Sequence, residues 1–158
     1  MKITKFLALS AILTASLAVA EDRGEAKATV AGKAVAVEYG RPVLAGRDML
    51  GQAKAGTPWR MGSGSPTSLK TDADLTFGTV VLPKGSYVLT AVKDDKGAWT
   101  VIATTPDGKT KTAEVPLKSS TVKDSVEMFT IDLSGKANAG EFSMTWGTAK
   151  MSASFTGK

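Results

Sequence analysis

Two chemically reactive residue types are missing from this chain of 158 residues, which contains no cysteine and no histidine. Their absence excludes Ser-His-Asp and Cys-His catalysis and removes the usual ligands of zinc, copper and iron. It also excludes disulfides, so the stability of the fold must come from a hydrophobic core. We expect no metal and no cofactor. An enzyme would have to use carboxylates, lysine, tyrosine or a hard cation held by oxygen atoms.

A long apolar run occurs at the start of the chain, and its layout is that of a secretory signal. Lys2 and Lys5 precede the apolar residues 6–20, and residues 18–20 read Ala-Val-Ala, a small-x-small cleavage site. The run is shorter than the roughly 20 apolar residues of a membrane-spanning helix. We therefore expect cleavage near Ala20, export to the periplasm or the medium, and no membrane span in the mature chain.

A strong excess of one charge is also missing. The formal net charge of the whole chain is +5, and cleavage of the signal would remove two of the lysines. The remaining basic residues are scattered, and aromatic residues do not alternate with them, so we expect no nucleic-acid partner. The mature chain is long enough for one domain with its own core.

Helical periodicity is scarce after the signal, and apolar residues instead alternate with polar ones. In residues 141–146, Phe142, Met144 and Trp146 share one face. Residues 151–155 repeat the pattern, and the intervening "GTAK" is short enough for a hairpin connection. Other strands are predicted at residues 28–31, 33–39, 67–71, 75–81, 85–92, 98–105, 109–117 and 126–133. Such short strands with closely spaced turn signals predict an antiparallel sandwich or barrel.

Our prediction for the fold class is all-β: a single antiparallel β-sandwich, jelly-roll-like, preceded by a cleaved signal peptide. Residues 1–20 would be the signal peptide, residues 21–32 an N-terminal lead-in, and residues 33–158 the β-sandwich domain. Alternation lapses at residues 40–66, where glycine and proline are dense. A long irregular segment of this kind is either functional or an ordered loop.

Three arginines and a tryptophan stand out in this irregular segment: Arg41, Arg47, Trp59 and Arg60. A guanidinium group is always charged and presents a rigid fork that suits carboxylate or phosphate. In a functional interpretation, the arginines line a pocket with Trp59 as its apolar wall, and an anionic or sugar ligand binds inside. In a structural interpretation, they satisfy the carbonyls and acids of the loop. We favour the structural one, because a long loop must satisfy its backbone groups.

Two further functions remain open. The sequence contains no recognisable catalytic motif. A hydrolase without histidine or cysteine would use carboxylates, for which Asp72, Asp74 and Asp94 are the candidates. These aspartates also suit solvated turns, where acids are common. A structural or assembly protein would instead pair through an edge strand or an apolar patch.

The order of several motifs resembles the bacterial secreted family catalogued as domain of unknown function 2911. The motifs are "VEYGRP", "PWRMG", "LPKGSYVLTAV", "SVEMFTIDL" and "MTWGTAKMSASF", and the resemblance runs from about residue 33 to residue 155. It implies an exported all-β sandwich without an assigned activity. The positions that match the signature of the family are Arg41, Pro42, Gly46, Arg47, Gly51, Trp59, Arg60, Gly62 and Thr67.

One short stretch departs from the pattern of that family, which usually reads Gly-Ala-Asn-Glu-Ala-Thr after the Trp-Arg pair. This chain has "GSGSPT" at residues 62–67, so the asparagine and the glutamate are absent. The departure favours a scaffold role for the retained arginine and glycine positions, and the predicted signature scaffold is Pro42, Gly46, Gly51, Gly62 and Thr67. The resulting hypothesis is an exported, non-catalytic domain of uncharacterised function that binds an anionic or carbohydrate ligand in the cell envelope.

Overall fold

A computed structural model describes residues 22–158, and within this range the chain forms ten β-strands and no helix. The strands are β1 (Arg23–Val30), β2 (Lys33–Gly40), β3 (Thr67–Thr71), β4 (Leu75–Phe77), β5 (Val80–Leu82), β6 (Gly85–Lys93), β7 (Trp99–Thr104), β8 (Lys111–Pro116), β9 (Lys118–Lys136) and β10 (Ala139–Gly157). The signal peptide predicted at residues 1–20 lies outside the described residues. Within those residues, no helix is long and apolar enough to cross a membrane.

Two antiparallel sheets share one hydrophobic core. The larger sheet has six strands in the order β1-β2-β3-β6-β7-β8, and the smaller has four in the order β5-β4-β10-β9. Both sheets contribute buried side chains to the same cluster, including Val37, Leu89 and Val101 from the larger sheet and Phe129 and Met144 from the smaller. The predictions of an all-β fold and of a single antiparallel β-sandwich are therefore confirmed.

Burial follows the predicted alternation, because successive side chains of a strand point to opposite faces. In β7, Trp99, Val101 and Ala103 are buried, and the residues between them are half-buried. Alternation also predicted that Trp146 belongs to the core, and Trp146 is buried. Since a slip of one residue would turn every apolar side chain outward, this burial determines the pairing register.

The predicted hairpin at "GTAK" is wrong, because these residues lie within the continuous strand β10. Gly147 has a φ of +64°, a left-handed conformation that glycine adopts without steric cost. The pairing of β9 with β10 shifts register on both sides of Gly147, and Thr148 alone faces residues 122–125 of β9. A bulge of this kind bends a strand without reversing it. The chain instead reverses at residues 137–138, between β9 and β10.

The first described strand belongs to the larger sheet. Strand β1 pairs with β2 along its whole length and begins before residue 28, where the sequence predicted a strand. It lies within residues 21–32, the expected lead-in. Just after β1, the amide of Ala31 donates a hydrogen bond of 2.8 Å to the carbonyl of Ala137. This bond joins the edge of the larger sheet to the β9–β10 turn of the smaller one.

Candidate functional site

We refer to residues 41–66, which join β2 to β3, as the connecting segment. The last residue of β2, Gly40, and residues 62–63 of the segment meet at a close crossing of backbones. A Cβ atom on Gly40 would lie 1.9 Å from the carbonyl oxygen of Ser63, and a Cβ atom on Gly62 would lie 2.6 Å from the carbonyl oxygen of Gly40. These distances leave no room for a side chain at either glycine, and the crossing closes the segment into a loop.

Backbone hydrogen bonds tie the connecting segment to both sheets. The amide of Leu44 donates to the carbonyl of Glu127 at 3.0 Å, which covers part of the outer edge of β9. An uncovered edge of this kind would have unpaired backbone groups. Trp59 and Ala91 of β6 exchange two hydrogen bonds, of 2.8 and 2.9 Å. The segment is therefore an ordered part of the sandwich.

The structure does not bring the three predicted arginines together. Arg41 is half-buried and lines a depression beside Asp132 of β9, and its Nε is buried without a hydrogen-bond partner among the described residues. Arg47 is exposed and lines a different groove. Arg60 is exposed, and its guanidinium group donates to the carbonyl of Gly64. Arg41 and Arg47 thus line different depressions, and Arg60 bonds within the connecting segment.

The groove at Arg47 has a volume of about 480 Å³ and lies between the connecting segment and the bulged parts of β9 and β10. We call it the polar groove. Its polar side chains are all exposed, and they are Arg47, Asp48, Ser120, Thr121, Ser125 and Thr148. The groove therefore combines one permanent positive charge, one carboxylate and four hydroxyls.

Arg47 retains most of its hydrogen-bonding capacity in this groove. Its Nε donates to the carbonyl of Leu44 at 3.3 Å. The two terminal nitrogens bond to no other described residue. The neighbouring Asp48 is held by its own turn, since one carboxylate oxygen accepts a 2.9 Å hydrogen bond from the amide of Gly51. The guanidinium fork is thus oriented by one bond and available to a ligand.

Trp59 packs in an aromatic cluster and does not share a pocket with the arginines. Its ring centroid lies 5.0 Å from that of Phe129 and 5.8 Å from that of Trp99. The ring of Trp146 lies 6.0 Å away and is nearly parallel, at 11°. Trp146 also lines the polar groove, and its Nε1 donates to the carbonyl of Glu127 at 3.1 Å. Aromatic pairs of this kind each contribute about 0.5–1.5 kcal/mol beyond burial, so the cluster holds the connecting segment on the core.

Comparison with known proteins identifies the family. The family described as Protein of unknown function (DUF2911) matches residues 21–155. The chain belongs to the DUF2911 family. This match confirms the resemblance inferred from the sequence motifs. No curated protein and no solved structure matches the chain.

Several positions that the motif resemblance predicted as signature residues make contacts that hold the connecting segment in place. Thr67 is buried, and its hydroxyl donates a 2.7 Å hydrogen bond to the carbonyl of Met61. The carbonyl of Pro42 accepts a 2.9 Å bond from the amide of Phe129 in β9. Gly62 forms the backbone crossing. The contacts of Thr67 and Gly62 depend on the residue type, whereas any residue at position 42 would supply the same backbone carbonyl.

Sequence reasoning missed the hydroxyl side of the polar groove. Ser120, Thr121 and Ser125 lie in "KSSTVKDS", residues 118–125, which falls outside every predicted strand. Thr148 belongs to the stretch that the sequence predicted as a hairpin turn. The signal available in the sequence was a polar run without alternation next to strand-like residues. Such a run is typical of an exposed, irregular strand edge.

The three aspartates considered for hydrolysis lie in turns. One oxygen of Asp74 accepts a 2.8 Å hydrogen bond from the amide of Lys84. Asp94 accepts two bonds from amides of its own turn. Asp72 is exposed in the β3–β4 connection, and none of the three lines the polar groove. Across the described range, no three acidic side chains lie close enough to hold a metal ion.

Proposed function

We propose that this DUF2911 protein is an exported, non-catalytic domain that binds an anionic saccharide in the polar groove. The observation that carries the proposal is the placement of Arg47 and four hydroxyl side chains in one groove. An anionic sugar presents the matching groups. Its carboxylate suits the guanidinium fork, and its hydroxyls donate to and accept from serine and threonine.

The dimensions of the polar groove support the proposal. Its volume of about 480 Å³ is within the range of about 300–1,000 Å³ that small-molecule sites occupy. The second oxygen of Asp48 is an acceptor for a sugar hydroxyl, because only one oxygen is used by the amide of Gly51. The groove therefore offers donors and acceptors along its length, as a polyhydroxylated ligand requires.

Calorimetric titration with two methyl glycosides tests the binding. Methyl glucuronide carries a carboxylate and methyl glucoside does not, so the first alone can form an ion pair with Arg47. We expect a preference of about 1 kcal/mol, roughly fivefold, for the glucuronide, since an exposed ion pair contributes up to that amount. The preference should decrease as the salt concentration rises, because exposed charges are screened.

The variants Arg47→Ala and Arg60→Ala are a matched pair for this titration. Both arginines are exposed, and Arg60 bonds to the carbonyl of Gly64 away from the polar groove. We expect Arg47→Ala to abolish the preference for the glucuronide and Arg60→Ala to keep it. Binding of neither glycoside, or an equal effect of both variants, would contradict the proposed site. Turnover of either glycoside would contradict a non-catalytic role.

Export is the second part of the proposal, and the signal-like residues 1–20 support it. Expression of the full chain in a bacterial host, followed by fractionation and N-terminal sequencing, tests it. We expect a mature protein outside the cytoplasm that begins at residue 21. An unprocessed chain retained in the cytoplasm would contradict export and would leave the binding proposal unaffected.

A further inference from the structure

A second, apolar cavity adjoins the polar groove. Its volume is about 170 Å³, and its walls include Met49, Leu50, Ala53, Pro58, Trp59 and Trp146. Trp146 also lines the polar groove, so the two spaces share this residue. We call this space the apolar cavity.

One short turn of the connecting segment lines both spaces. Asp48 and Gly51 line the polar groove, whereas Met49 and Leu50 line the apolar cavity. The 2.9 Å hydrogen bond from the amide of Gly51 to Asp48 holds the turn in this conformation. A ligand whose charged part lies beside Asp48 in the polar groove can therefore place an adjoining apolar part beside Met49 and Leu50 of the same turn.

The size and the chemistry of the apolar cavity fit one aromatic ring. An apolar protein cavity of about 150 Å³ accepts benzene, and this cavity measures about 170 Å³. The polar side chains of the lining, Lys54 and Thr57, are exposed. Trp59 and Trp146 supply aromatic surface against which a ring packs favourably.

We infer that the apolar cavity binds an aryl group attached to the saccharide, so that the ligand class is an aryl glycoside of a uronic acid. This inference rests on the proposed function, because the sugar part must lie in the polar groove. Trp146, which lines both spaces, then lies near the bond between the sugar and the ring.

Titration with phenyl glucuronide and methyl glucuronide tests the inference. We expect the phenyl glycoside to bind about tenfold more tightly, because its ring adds about five apolar atoms to the methyl glycoside at about 0.3 kcal/mol each. Ala53→Leu fills the apolar cavity, and we expect it to remove this gain while leaving the affinity for methyl glucuronide unchanged. Ala153→Leu is the matched control, because Ala153 of β10 is also half-buried and lines neither space.

The outcomes separate the inference from the proposed function. Equal affinity of the wild type for the two glucuronides overturns the inference and leaves the proposed function standing. Binding of neither glucuronide overturns both. A gain that survives in Ala53→Leu shows that the ring binds elsewhere and overturns the inference. Thermal unfolding verifies that each variant is folded, and the smaller Ala53→Val replaces Ala53→Leu if that variant is unfolded.

Discussion

Replacing Gly40 by alanine tests the backbone crossing that closes the connecting segment. The new Cβ atom would lie 1.9 Å from the carbonyl oxygen of Ser63 and 2.7 Å from both its carbonyl carbon and its amide nitrogen. All three are backbone atoms, so rotation of a side chain cannot relieve the overlap. The two backbone segments would have to separate by about 1 Å, and close-packed interiors resist such a shift.

We expect Gly40→Ala to lower the free energy of unfolding by about 3 kcal/mol, the upper end of the usual cost of overpacking. The adjoining chain on each side is anchored, by the pairing of β2 with β1 and β3 and by the bond from Thr67 to Met61. Urea unfolding, followed by tryptophan fluorescence, measures the change. The melting temperature should fall by roughly 10 °C.

Gly46→Ala is the control for this prediction. It adds the same methyl group where no atom lies within 4 Å, at a φ of +77°. Its cost is conformational and should be about 1 kcal/mol. If Gly40→Ala loses no more stability than Gly46→Ala, overlap with the backbone of Ser63 does not exclude a side chain at position 40. The reasoning is then refuted.

Two further predictions concern buried hydroxyl groups. Thr67→Val removes the donor to the carbonyl of Met61, and we expect a loss of about 1–2 kcal/mol in urea unfolding. Thr90→Val, at a half-buried threonine whose hydroxyl bonds to no described residue, should change stability by less than about 0.5 kcal/mol; equal losses in the two variants would contradict the prediction. Burial, and to a smaller extent the charge of Asp74, raises the pKa of Tyr87 from its ordinary value of 10.0. A raised pKa in the folded state gives stability that is present below about pH 10 and is lost as the pH rises through the folded pKa. Unfolding midpoints measured from about pH 9 to pH 11 should therefore fall less steeply for Tyr87→Phe than for the wild type, and parallel curves would refute the assignment.

Strand periodicity in the sequence was sufficient to predict most of the sandwich. Trp99 and Trp146 could be placed in the core because their neighbours in sequence alternate, and alternation depends on a few adjacent residues only. The error at "GTAK" has a physical cause. Glycine with a positive φ suits a turn and a bulge equally well. Whether Gly147 reverses the chain or bends it depends on the partner strand β9.

The candidate site was harder to predict, because the connecting segment has no periodicity. Arg41, Arg47 and Arg60 look equivalent in sequence, yet Arg41 and Arg47 line different depressions and Arg60 bonds to Gly64. Arg47 meets hydroxyl side chains from residues 120–125, which are distant in sequence. That meeting depends on the bulge in β9 and on the anchoring of the segment to its edge.

The sequence by itself determined the fold class, the family and the exclusion of histidine and cysteine chemistry. These properties depend on composition and on local patterns that each strand carries independently of the others. The tertiary structure alone decided which arginine lies beside hydroxyl side chains, and it also showed why Gly40 excludes a side chain. Both follow from contacts between residues far apart in the chain, and such contacts exist only after the two sheets have packed and the connecting segment has closed over them.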